Sequence, residues 1–500
     1  MGVTSLDYIV FFVFIVGVVA YGCSFYLKSR SSDNFTTGGQ SISSWITGMS
    51  IFATFVSSIS FLGLPGQAYA TNWNPFVFSL SIPVATVLAA WLFVPLYRSL
   101  NSPSAYAYLE VRFGYWARAY AAICYLLTQI ARTGSILFLM ALPLNYMLGW
   151  SIPMIIVVTG VCVLVFSAIG GIKAVMYTDA VMGIILIAGA LACALTLTFG
   201  MPEGPKQLFE IAAEHNKFSL GSLEWSWAEP TFWLILLYGT FINLQNYGID
   251  QSYVQRYMTT GSVKEARNST LFGGMLYLPV SLLFVYIGTA LFSYYTAQPE
   301  LLPDGIAGDR VFPHFIINGL PPGITGMLIA SIFSAGMSTI STSVNSSATV
   351  VLTDFANRLF PKGITEKRNM KVLYTTSIAL GILGVSVGLA MIKVQGVLDA
   401  WWKLSSIFSG GMLGLFLLGF VVRKARNAQA ITGVILGILI IAWMSLSPML
   451  PQESGWGMFR SNFHLNLTIA FGTTAIFLTG FLLTLLCGGK KQPETNPTKQ

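Results

Sequence analysis

Charge is what this 500-residue chain has little of: 9% of its residues are Asp, Glu, Lys or Arg, against about 25% in soluble proteins. With 54% hydrophobic residues and a mean hydropathy of +0.69, that shortage excludes a soluble domain of useful size and marks a polytopic membrane protein. Histidine is scarcer still. His215, His314 and His464 fall in loops or at helix ends, and there is no His-Glu-x-x-His or paired acidic prenyl-diphosphate motif, which argues against an intramembrane enzyme. Cys23, Cys124, Cys162, Cys193 and Cys487 sit in or beside apolar runs without disulfide or metal spacing. Gly488-Gly-Lys-Lys lacks the spacing of a nucleotide-binding loop, against primary transport. The first apolar run has no basic residues before it and carries Asp7, so it is expected to be a retained helix and not a cleaved signal.

What the chain does have is apolar segments, at roughly 6–27, 42–70, 76–97, 116–148, 152–171, 174–199, 231–257, 270–295, 322–353, 371–392, 398–421, 428–447 and 462–487. They predict an all-α protein with about 13 membrane helices. Assigning Lys and Arg to alternate sides gives 20 against 6, with Arg132 alone left inside a helix. Cytoplasmic loops carry the excess of Lys and Arg. The N-terminus is therefore expected outside and the C-terminus in the cytoplasm, and the net charge of +8 needs no nucleic-acid partner. The longest outer loops are about 200–230 and 296–321, and the polar tail 488–500 reads as disordered.

Between Ser331 and Thr349, 11 of 19 residues are Ser, Thr or Asn, and no charged residue falls between Arg310 and Asp354. On a helix, Ala335, Ser338, Thr339 and Thr342 share one face. Hydroxyls, with a free carbonyl beside Ala335, suit a small hard monovalent cation such as sodium. The alternative is that these hydroxyls serve helix packing and back-bonding. Two other segments read as interrupted helices. The second carries Ser57, Ser58 and Ser60, then Gly63, Pro65 and Gly66; the seventh carries Gly239, Asn243, Gln245, Asn246 and Gly248. Broken helices at corresponding places in two halves point to an inverted-repeat secondary transporter with a midplane site. The layout is a leading helix and loop (1–40), a five-helix repeat (41–200), an outer loop (201–230), a second, inverted repeat (231–425), two trailing helices (426–487) and the tail.

Two charges inside apolar runs bear on function, Arg132 and Asp179. Arg132 lies about 24 Å of helix from either end of its segment, too far to snorkel to water. It is expected to face a cavity and grip a carboxylate through two parallel hydrogen bonds; pairing with Asp179 is the alternative. Asp179 lies just inside the sixth run, where an acid is costly and usually functional.

The second helix with Ala53, Val56 and Ser57, the stretch Gly248-Ile-Asp-Gln-Ser-Tyr-Val-Gln-Arg256, and Met337-Ser-Thr-Ile-Ser-Thr followed by Ser346-Ser-Ala-Thr and Asp354 resemble the sodium/solute symporter family over most of residues 1–487. With Arg132 and Asp179, the chain looks like that family's sialic-acid branch. The resemblance implies the LeuT-like fold, in the inner or plasma membrane, and import of a carboxylate, foremost sialic acid, by alternating access as a monomer, coupled to sodium. One sodium would be held by Ala53, Val56, Ala335, Ser338 and Thr339, and a second by Asp179, Ser338, Ser341 and Thr342. Substrate would meet Arg132, Ser57, Ser60 and residues around Phe76–Ser79. Ser79 stands where the branch has an amide, and Phe55 where it has a hydroxyl. Proline, pantothenate, another organic acid or a sugar are the alternative solutes within the family; a channel or membrane sensor is the remoter one.

Overall fold

The structure is a computed structural model that describes residues 3–25, 31–100, 102–306, 308–359, 365–394, 404–405, 407–450 and 457–487; among these, all regular secondary structure is helical. The expected tail 488–500 and the start of the eleventh segment, 398–403, lie outside them. In chain order the helices are α1 Ser5–Cys23, α2 Ser44–Phe55, α3 Ser58–Ala70, α4 Asn74–Leu100, α5 Tyr115–Leu148, α6 Ile152–Val165 and α7 Gly171–Phe199. There follow α8 Pro205–Glu214, α9 Phe232–Ile249, α10 Gln251–Tyr257, α11 Val263–Ala297, α12 Gly308–Asn318 and α13 Ile324–Val350. The last are α14 Glu366–Met391, α15 Ile407–Val421, α16 Asn427–Leu446 and α17 Thr468–Cys487. Among the described residues 9 helices are long and apolar enough to cross a membrane, and 10 if the bent pair α2–α3 is one span. The other three expected segments are present as helices. Two of them, α6 and α15, are apolar but shorter. The third, α9, carries Asn243, Gln245 and Asn246, which dilute its apolarity.

The molecule is built around α13. Every residue from Ser331 to Val350 is buried, because α1, α5, α7 and α14 all pack on it. Small residues permit this approach; a Cβ on Gly336 would collide with Met140 of α5. The leading helix is fastened to the same element: Asp7 accepts the Gly323 and Gly326 backbone N–H groups at 2.7 and 2.9 Å. These are free donors at the start of α13, where a carboxylate is favoured. Gly171 divides α6 from α7 with φ +58° and ψ −165°, and a Cβ there would press on Phe35 at 3.0 Å.

The two ends of the molecule differ. At one end, the loop after α8 brings Lys217 against the end of α3, where its Nζ donates to the carbonyls of Tyr69 (2.6 Å) and Thr71 (2.9 Å) and lies 3.8 Å from the Phe292 ring centre. Lys217, expected as an exposed loop charge, is buried, because those carbonyls have no partner within the helix. At the other end, Arg118 pairs with both Glu110 (2.7 Å) and Asp354, and Arg358 reaches Glu110 at 2.8 Å. That network ties the entry to α5 to the exit from α13.

Candidate substrate and ion site

The second segment breaks where its serines predicted. After α2, Val56 and Ser57 are extended (ψ 110° and 170°), and the two halves meet at 50°. The last carbonyls of α2 therefore lack intrahelical donors, and Arg132 Nη2 takes one of them, Thr54 O, at 3.1 Å. The seventh segment differs from expectation. Helix α9 stays intact through Asn243, Gln245 and Asn246 and ends at Ile249. The break is at Asp250 (ψ 127°), whose carboxylate accepts the Ser252 N–H at 2.7 Å and so starts α10.

Between these breaks lies a cavity of about 690 Å³ that reaches the end of the molecule carrying Gly221, Glu229 and His464. Phe55, Ser57, Ser60 and Arg132 all line it. Phe76 and Ser79 do not line it. Ser79 is turned away, its hydroxyl 2.7 Å from that of Ser281, and Phe76 sets its ring against Trp73. Near the start of α4 the cavity face carries Asn74, Pro75 and Phe78, one helical turn apart, so the neighbouring position is rotated off it. Phe55, in place of a hydroxyl, stacks on Tyr247 (5.5 Å between centres) and meets the Tyr277 ring edge-on at 4.4 Å, giving the cavity an aromatic wall.

The ion-site residues are all buried, and α13 packs on both α2 and α3 around their break. Helix α13 runs unbroken past Ala335, so the carbonyl expected to be free accepts the Thr339 hydroxyl at 3.0 Å. Back-bonding of this kind also accounts for Ser331, Ser334 and Thr349. Other side chains of α13, among them Ser338, Thr342 and Ser343, bond to other helices. Ser338 donates to Asp179 Oδ1 at 2.6 Å; Thr342 accepts from Arg256; Ser343 donates to Gln129. The Ser341 hydroxyl turns back to Ser338 O at 3.0 Å.

Asp179 is not paired with Arg132. Arg256, expected among the cytoplasmic loop charges, is fully buried and pairs with Asp179 at 2.9 Å. Its guanidinium also donates to Ser50 Oγ (2.7 Å), Ser252 O (2.6 Å) and Thr342 Oγ1 (2.7 Å), and Ser50 donates to Asp179 at 2.5 Å. The expected second-ion residues Asp179, Ser338 and Thr342 are thus brought together, with a guanidinium among them. Arg256 ends an apolar run in the sequence; the break at Asp250 places it on a new helix that turns inward. The cavity is also lined by Gln129, Gln245, Asp250 and Tyr253, none of which was expected to meet substrate. The available signal was spacing: Gln129 lies three residues before Arg132, on the same helix face.

The family model described as the sodium:solute symporter family matches residues 35–437. The chain is 32% identical over 444 residues to the sodium/sialic acid symporter NanT of Aliivibrio fischeri, covering 88% of each chain. It is 31% identical over 440 residues to the sodium/sialic acid symporter SiaT of Proteus mirabilis, covering 87% of this chain and 88% of that one. It is similar to a solved structure of a substrate-bound, outward-open Na+-coupled sialic acid symporter, with a TM-score of 0.89, 28% identity, and coverage of 98% of this chain and 100% of that one. A nucleobase-cation-symport-1 family transporter shares the fold at a TM-score of 0.59 and 15% identity, over 92% of this chain and 96% of that one.

Proposed function

The chain belongs to the sodium:solute symporter family, and from that premise we propose that it imports N-acetylneuraminate with sodium by alternating access. The observation that carries this reading is Arg132: a guanidinium that lines the cavity, with one nitrogen anchored on Thr54 O and so aimed for a carboxylate. That both bacterial relatives are sodium/sialic acid symporters supports the choice of substrate. The site reading is that substrate meets Arg132, Ser57, Ser60, Phe55 and Phe78. One sodium lies at Ala53, Val56, Ala335, Ser338 and Thr339, and a second at Asp179 with Ser338, Ser341 and Thr342. For the second ion to bind, Ser338 must turn its hydroxyl proton away from Asp179 Oδ1, while Arg256 can keep Oδ2.

The finer architecture belongs to the same proposal: thirteen crossings, with α2 to α7 and α9 to α15 as inverted repeats, and α16 and α17 trailing. Two broken segments, each opening its half, support it. The excess of Lys and Arg places the cavity mouth outside and the Glu110–Arg118–Asp354 network in the cytoplasm, the chain being outward-open with its N-terminus outside and acting as a monomer. The test is uptake of labelled N-acetylneuraminate into proteoliposomes with and without a sodium gradient. Uptake indifferent to sodium would overturn the coupling, and no uptake would overturn the substrate. Ser338→Ala and Thr339→Ala each remove a ligand oxygen, and both are expected to raise the sodium concentration for half-maximal uptake by at least about tenfold, the equivalent of 1.4 kcal/mol.

A second reading, a less hydroxylated carboxylate, is favoured by the aromatic wall at Phe55 and by Ser79 turning away. Competition of the labelled uptake by simple monocarboxylates separates the two.

A further inference from the structure

Two amides on the cavity wall hold polar atoms that nothing among the described residues satisfies. Gln129 is 2% exposed; its Oε1 accepts the Ser343 hydroxyl at 2.7 Å, while its Nε2 has no partner among the described residues. Gln245 is 5% exposed, and its Oε1 is likewise unpartnered. Buried polar groups are almost always paired, so atoms left open on a cavity wall mark where a ligand's own polar groups belong. Asp250, 9% exposed, adds a further acceptor: one oxygen is held by the Ser252 N–H, and the other has no hydrogen bond among the described residues.

These atoms sort by sign. On α5, Gln129 and Arg132 sit one turn apart and present donors only. On α9 and at its break, Gln245 and Asp250 present acceptors. A bare alkyl carboxylate satisfies the first pair and leaves the second empty.

We propose that Gln129, Gln245 and Asp250 are specificity-determining residues: Gln129 Nε2 joins Arg132 on the carboxylate-bearing end, and Gln245 Oε1 and Asp250 accept hydroxyl or N–H donors elsewhere on the same molecule. The substrate class is a hydroxylated or N-acylated carboxylate, with its apolar face on Phe55. This rests on the reading that Arg132 holds a carboxylate, and it supplies the polar recognition that Ser79 and Phe55 do not. The Ser343 hydrogen bond gives Gln129 a second consequence, since it ties the substrate wall to α13 beside Thr342.

The test is calorimetric binding of N-acetylneuraminate, gluconate and hexanoate to the purified full-length protein in sodium. The wild type should bind the two hydroxylated acids at least about tenfold more tightly than hexanoate, because a site built for hydrogen bonds rejects ligands that leave it unpaired. Gln245→Met should erase that preference, and Gln245→Glu, which keeps an acceptor, should retain most of it. Gln129→Met should weaken all three acids. Sodium-dependent thermal stabilisation of each variant checks folding. If both Met variants bind all three acids as the wild type does, the assignment is overturned and fixed water fills these positions. A wild type that ignores N-acetylneuraminate, yet prefers gluconate to hexanoate through Gln245, would refute the substrate and keep the recognition frame. N-acetylneuraminate uptake untouched by the variants would do the reverse.

Discussion

Two arginines occupy the middle of this protein and behave differently. Arg132 spends one nitrogen on a backbone carbonyl and otherwise lines open space. Arg256 is saturated by Asp179, Ser50, Ser252 and Thr342. Replacing Arg132 by Lys keeps the charge and loses the planar fork; a carboxylate ligand is expected to bind about 1.5–3 kcal/mol more weakly. Arg132→Ala should abolish binding while sodium still stabilises the protein, both read by calorimetry and thermal melting. Asp179→Asn strands a buried guanidinium, a loss of about 3–5 kcal/mol, so its melting temperature should fall sharply, and the double variant Asp179→Asn/Arg256→Met should recover part of it. A stable Asp179→Asn variant that merely loses sodium cooperativity would assign the acid to the ion alone. The contrast explains what the sequence disclosed. Arg132 was legible because it stands far from any helix end and has only the cavity to face. Arg256 was not, because its inward turn depends on a helix restart that the pattern of apolar residues does not mark. Ser79 was misplaced by one position of helical rotation.

At the scale of elements, the broken α2–α3 segment was legible, since serine, glycine and proline cluster at one depth. The break before α10 was placed too early. Asn and Gln suggested unwinding, but the helix stays intact while Asn243 donates across to Phe78 O (3.1 Å) and Ser81 Oγ (2.9 Å) of α4, and the chain departs only where Asp250 can cap the next helix. Lys217 gives α3 a latch that no periodicity announces. Its ammonium covers two carbonyls at a helix C-terminus, where a cation is favoured. Lys217→Met should cost about 1–2 kcal/mol and speed hydrogen exchange at residues 67–71 while leaving α2 protected. Equal exchange along α3 in both proteins would show the latch to be idle.

For the whole molecule, the hydroxyl-rich, uncharged stretch Ser331–Thr349 is the axle on which α1, α5, α7 and α14 bear. How one end is closed was not in the sequence, because Glu110 and Arg118 at the entry to α5 meet Asp354 and Arg358 at the exit from α13 only once these distant stretches fold together. One feature bears on electrical behaviour. The ionisable groups around the candidate site balance: Asp179 is paired with Arg256, and Asp250 shares a cavity with Arg132. An unloaded carrier of this kind swings through the membrane with no net charge at its centre. A charge moved across 100 mV is worth about 2.3 kcal/mol, and only the loaded protein can feel it, as one net positive charge if two sodiums accompany a monoanion and none if one does. Voltage steps on reconstituted protein should thus evoke no displacement current in sodium-free solution, and a sustained inward current once sodium and substrate are both added. A silent carrier under those conditions would mean one sodium per anion. With two sodiums per anion, depolarisation leaves the empty return stroke untouched and lowers only the concentration ratio the protein can hold.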